Sequence, residues 1–232
     1  MKPLLPELLS LCTAALAVHA TSASAQQSPL VDKNNIAKQD KPVPVPVPGH
    51  NDAIYDTIPK EEQLYSIEWF EMAPTPIETD RLIFASLNGA IPDSSLASLA
   101  PALLNDPSSL SNATITISTS AVYEDGTHED EESYTIPLKS TGFGRAGGHL
   151  SIRDENGFEV EYLPRNGDSE IELEVLILAM FLESGWWTFR VDARLGDEHD
   201  TCLFAMKLTQ WLEGSPGWTK AQTGGGFRKL YS

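Results

Sequence analysis

The chain has 232 residues, with 16 Lys and Arg against 33 Asp and Glu, a formal net charge of −17. That length suits one ordinary domain with flanking segments. The acidic balance argues against a nucleic-acid partner, which needs clustered basic groups, and against adhesion to anionic membranes.

Leu4 to Ala17 is an apolar stretch behind Lys2, followed by Ala23-Ser24-Ala25, a small-x-small cleavage pattern. Residues 1–25 are therefore expected to be a signal peptide, with a mature chain starting near Gln26. The protein is expected to be secreted, ending outside the cell or in a vacuole. Spanning a bilayer takes about 20 apolar residues. The leader falls short, so no integral membrane association is expected. Cleavage would remove Cys12 and leave Cys202, whose neighbours Leu203 and Phe204 predict a buried thiol.

Residues 26–60 read as a Pro-rich linker. In the run Pro42-Val43-Pro44-Val45-Pro46-Val47-Pro48 the alternating prolines remove backbone donors and favour an extended spacer. Residues 61–213 carry the folding signals, and residues 214–232, with Gly224-Gly225-Gly226, read as a flexible tail.

Within 61–213 the dominant period is two, the signature of strands. Expected strands run from Tyr65 to Met72, Leu82 to Leu87, Thr114 to Tyr123 and Tyr134 to Leu138, with a short one from Phe158 to Tyr162. Ile171-Glu172-Leu173-Glu174-Val175 alternates cleanly. Trp187, Phe189, Val191, Ala193 and Leu195 share one face of the next strand. A polar turn at Asp197-Glu198-His199-Asp200 joins it to a strand from Cys202 to Leu208, predicting an antiparallel hairpin. The leucines between Ser94 and Leu104 have helical spacing behind a serine cap, and Pro101 limits that helix to a turn or two. The pattern predicts an all-β protein: an immunoglobulin-like antiparallel β-sandwich of about seven strands with a short helical insertion.

No arrangement of residues commits the chain to a reaction. Gly142-Phe143-Gly144-Arg145-Ala146-Gly147 matches the dinucleotide-binding spacing, but no helix start follows it and no βαβ pattern surrounds it, so it reads as a loop. His128-Glu129-Asp130-Glu131-Glu132 lacks the second histidine of a zinc site and reads as a solvated acidic loop. There is no G-x-S-x-G elbow. The expectation is a non-enzymatic protein without cofactor or metal. Asn112-Ala113-Thr114 is a glycosylation acceptor just ahead of a strand, marking Asn112 as a candidate glycan site.

Trp69-Phe70-Glu71-Met72-Ala73-Pro74-Thr75-Pro76, followed by Asp80-Arg81-Leu82-Ile83-Phe84, resembles the first two strands of the ML-type lipid-recognition domain, with its Ser-Pro-x-Pro-like bend. The stretch from Gly185-Trp186-Trp187-Thr188 to Cys202-Leu203 is similar to that family's closing pair. Among its members, fungal phosphatidylglycerol/phosphatidylinositol transfer proteins are the most similar. The paired cysteines usual in the family are missing here. The resemblance implies a monomeric lipid-binding or transfer protein that holds a sterol or phospholipid between two parted sheets. The lining residues it implies are Leu82, Phe84, Ile115, Ile117, Val175, Ile177, Phe189, Val191, Phe204 and Met206. The alternative is a secreted recognition domain with a solid core, binding a protein or glycan through its loops.

Overall fold

The computed structural model describes residues 43–104, 106–144 and 147–215. The expected leader, the linker up to residue 42 and the tail from 216 lie outside the described residues.

Twelve strands form two sheets: β1 (Gly49–His50), β2 (Ile54–Tyr55), β3 (Ser66–Ala73), β4 (Leu82–Ala90), β5 (Thr114–Tyr123), β6 (His128–Pro137), β7 (Thr141–Phe143), β8 (Gly148–Arg153), β9 (Glu159–Val160), β10 (Asp168–Leu176), β11 (Gly185–Arg194) and β12 (Cys202–Leu212). The seven-stranded sheet runs β1-β3-β4-β10-β8-β7, with β9 on β8; the five-stranded sheet runs β2-β12-β11-β5-β6. Every pairing is antiparallel except β1 on β3. The two sheets pack as an all-β sandwich, as the period-two pattern predicts.

The number of strands exceeds the expected seven because the sequence hides short ones. Eight strands have six residues or more. The others, of two or three residues, are too brief to show alternation.

Three segments differ from their sequence reading. Part of the Pro-rich stretch belongs to the sandwich rather than acting only as a spacer. Pro46 bridges Ile54, Val47 is buried, β1 joins β3, and β2 joins β12. Gly49 allows this docking, since its φ is 122° and a Cβ there would overlap the Phe70 carbonyl. The acidic stretch 128–132 is not a loop but the first half of β6, at the edge of the five-stranded sheet. Its charges fit an edge strand, because they discourage pairing with another chain. The glycine-spaced segment is a β-hairpin: β7 leads through Gly144 and Gly147, both with positive φ, into β8.

The helical insertion exists, with a different start. A helix, α1 (Asp93–Leu99), follows Pro92 with no side-chain cap, so Ser94 lies within its first turn rather than at its cap. Two 3-10 turns, Pro101–Leu104 and Pro107–Asn112, complete the insertion. It buries Leu96, Leu103 and Leu110 and covers the end of the sandwich where β4 finishes and β5 begins. Leu64, Leu138, Ile152, Ala193 and Leu203 are also almost wholly buried, so this half of the core is densely packed.

Candidate functional site

The alternation of β5, β11 and β12 points Ile115, Ile117, Phe189, Val191, Phe204 and Met206 toward the opposite sheet. From that sheet β10 contributes Leu173 and Val175, and Ile177 follows it. Between them lies an apolar cavity of about 130 Å³. Along β11 the packing changes stepwise: Ala193 is buried, Val191 and Phe189 are only half-buried, and Trp187 is buried again. The gap is thus a waist between two filled ends. Leu173, Val175 and Ile117 share this half-buried state although they point inward.

The far end is closed by specific contacts. Trp187 packs edge-on against Tyr123 with ring centroids 6.3 Å apart, and its Nε1 donates to the Glu183 carbonyl at 3.1 Å. Buried Gln210 holds the bend after β3 at both its amide atoms: Nε2 donates to Ile77 O at 2.9 Å, and Oε1 accepts from Ile77 N at 3.1 Å. That bend contains two cis prolines, Pro74 and Pro76. One long side is laced by residues 46–55, which pair with both sheets. On the other side, Tyr134 of β6 and Phe143 of β7 approach within 6.4 Å between ring centroids, and both line the cavity.

Polar groups sit along that second side. Glu132 shares its strand face with Tyr134 and stands opposite Thr119. Its Oε2 is buried without a hydrogen-bond partner among the described residues. Glu129 accepts a hydrogen bond from the Tyr123 hydroxyl. Burial, reinforced by that carboxylate, pushes the Tyr123 phenol well above its ordinary range. This edge strand therefore carries carboxylates, while the charged residue that borders the cavity itself is Lys207, whose Nζ binds Asp56.

Of the ten lining residues implied by the resemblance, eight border the cavity. Leu82 and Phe84 do not: they face outward from β4 and are 43% and 49% exposed. Their neighbours Ile83, Ala85 and Leu87 line the gap instead. The run Leu82-Ile83-Phe84 is apolar on both faces, so it gives no parity of its own. The signal lies further along, where Leu87, Gly89 and Ile91 share the parity of Ile83 and are all buried. Phe70, Met72 and Ile77 also border the cavity and were not singled out from sequence.

Comparison with protein-family models and with curated proteins finds no match.

A second concavity, of about 430 Å³, lies on the outward face of the five-stranded sheet and is polar. Its charges come from the outward residues of β11 together with Asp56, Glu131 and Asp200. Arg190 Nη1 lies 2.7 Å from Asp56 Oδ2, and Lys207 Nζ lies 2.9 Å from Asp56 Oδ1. Arg194 binds Asp192 through two hydrogen bonds of 2.6 and 2.9 Å and reaches Asp200 at 3.1 Å. Asp197 braces the adjoining turn, accepting from Thr201 N at 2.8 Å and Thr201 Oγ1 at 2.7 Å, beside the backbone bonds from Leu195 N to Thr201 O and from Asp200 N to Asp197 O. Cys202, the free thiol, is buried beside this turn. Burial, then Asp192, pushes its pKa up to about 12.

Among the described residues no helix is long and apolar enough to cross a membrane.

Proposed function

We propose that the protein is a secreted carrier that holds the apolar body of a sterol or phospholipid between its two sheets, as in the ML-type domain its sequence resembles. One observation supports this reading most. Phe189, Val191, Leu173 and Val175 pack against the core on one side, yet stay only partly buried where they face an apolar gap between the sheets. Side chains in a closed sandwich would fill that space at crystal-like density. Every 100 Å² of guest surface taken from water contributes about 2.5 kcal/mol, so partial insertion is already favourable.

The gap is near the size of a cavity that takes one small aromatic molecule, about 150 Å³. Pockets for larger ligands run to roughly 300–1,000 Å³. A lipid guest therefore enters as the sheets part. The carboxylates of Glu129 and Glu132 on the edge strand β6, beside Tyr134, favour a neutral or zwitterionic head group over an anionic one. Export would bring Asn112, exposed at the end of its 3-10 turn, to the glycosylation machinery.

The test is native mass spectrometry of delipidated protein after incubation with cholesterol, phosphatidylcholine and phosphatidylglycerol. The expected result is one bound sterol or phosphatidylcholine per chain, with phosphatidylglycerol bound less at neutral pH. Val191→Trp, which fills the gap, should remove the bound mass while the protein stays folded. A protein that takes up no lipid under any condition, with a melting temperature unmoved by lipid, would overturn the proposal.

A further inference from the structure

We propose that the outward face of the five-stranded sheet is a second binding surface, one that recognises a neutral polysaccharide independently of the cavity. The face is built in cross-strand rows, since β5, β11 and β12 pair in one register from Gly185 to Ala193, with a shift between β11 and β12 at Arg194. At one end of the face Trp186 stands between Val122 on β5 and Trp211 on β12. Trp186 is 54% exposed, its ring 6.0 Å from that of Trp211 at an angle of 76°. The row beyond is hydroxylic, with Thr188 and Thr209 hydrogen-bonded at 2.9 Å. Then comes the polar groove, floored by Ser118 and Ala205 and walled by Asp56 and Thr57 on one side and Glu131 on the other.

Three features of this surface select the ligand. The charges in the groove are already paired. Arg190 is held by Asp56 and faces Glu131 at 3.9 Å, and Arg194 is held by Asp192 and Asp200, while Lys207 beside the groove also binds Asp56. An ionic ligand would have to break those pairs, whereas hydroxyl groups can donate to the carboxylates and accept from the guanidinium groups without displacing them. The guanidinium and carboxylate groups are fixed by one another, so little side-chain freedom is lost on binding. The indole of Trp186 offers an apolar face with a polar edge, suited to the C–H face of a pyranose ring. Trp186 and Arg190 are four residues apart on one strand, about 13 Å, so a chain of several sugar units spans both. A membrane is the poorer partner for Trp186, because the neighbouring loops carry Glu124, Asp125, Glu183 and Glu213 and the whole chain is at −17.

Asn112 precedes β5 at the opposite end of the groove, near Arg194 and Thr114. A glycan attached there would compete for the surface, so the test uses the Asn112→Gln chain. Affinity electrophoresis in gels containing laminarin, xylan or galactomannan should show retardation by at least one of the three. Trp186→Ala should weaken the retardation about tenfold or more. Phe84→Ala, an equally exposed aromatic on the other sheet, should leave it unchanged. Circular dichroism confirms that each variant is folded. No retardation by any of the three polysaccharides, or retardation that Trp186→Ala leaves intact, would overturn the assignment. So would Trp186-dependent cosedimentation with phosphatidylcholine vesicles in the absence of polysaccharide binding. Lipid occupancy of the cavity is measured separately and should be the same in the wild-type and Trp186→Ala chains.

Discussion

Two buried groups make the protein sensitive to alkali. Cys202, at 6% exposure, holds its proton to about 12 against an ordinary value of 9.0. Tyr65 is likewise raised, chiefly by burial, while its hydroxyl donates to the Ser169 carbonyl at 2.9 Å. Above pH 9 the unfolded chain releases protons that the native protein keeps, so the native state binds more protons and its stability falls as pH rises. The contribution is complete below the ordinary pKa and is lost progressively above it. The melting temperature should therefore drop between pH 9 and 11, and Cys202→Ala should flatten the first part of that slope. A thiol reagent should leave the native protein unlabelled at pH 8 and label it on denaturation. At this scale the sequence was partly readable. The neighbours of Cys202 foretold its burial, but nothing local to Leu82 or Phe84 distinguished the two faces of their strand.

The strand β6 shows how one element can be legible in composition and still be misassigned. Five polar or charged residues in succession, His128 to Glu132, suppress the alternation that identifies a strand. The second half, with Tyr134 and Ile136, alternates and reads as strand. The first half is strand because β5 offers it a ladder to pair with, a long-range effect that no local pattern carries. It is also the ten-residue outer strand of its sheet, with no strand on its far side among the described residues. Replacing Asp130, Glu131 and Ser133 with valine should preserve the far-UV circular dichroism but raise light scattering within hours at micromolar concentration, because a long edge without charge is a template for another chain. The glycine-rich hairpin was hidden for a related reason. Its glycines serve turns at Gly144 and Gly147, and β7 itself has three residues. The insertion was easier, since Leu96, Leu99 and Leu103 keep their helical spacing. Leu96 is fully buried, and Leu96→Ala should cost about 2–5 kcal/mol in chemical denaturation.

For the molecule as a whole, the alternation of its long strands was enough to foretell a sandwich. What it did not foretell is how unequally the two long sides are fastened. Residues 46–55 carry few large apolar groups and were read as spacer, yet they attach one sheet to the other through β1 and β2. The two halves thus resemble a book whose binding is sewn along its length by the chain itself, while its fore-edge is held by Tyr134 against Phe143 and, at one corner, by residues 138–140, which carry the chain from β6 to β7. Such a book opens in one direction. Guest uptake should accelerate amide exchange in β6 and β7 while the amides of β1 and β2 keep their protection, and Gly49→Ala, which breaks a stitch in the binding, should erase that contrast. A carrier built this way would present its guest broadside through the fore-edge, with the saccharide-binding face on the outer cover left undisturbed by the loading.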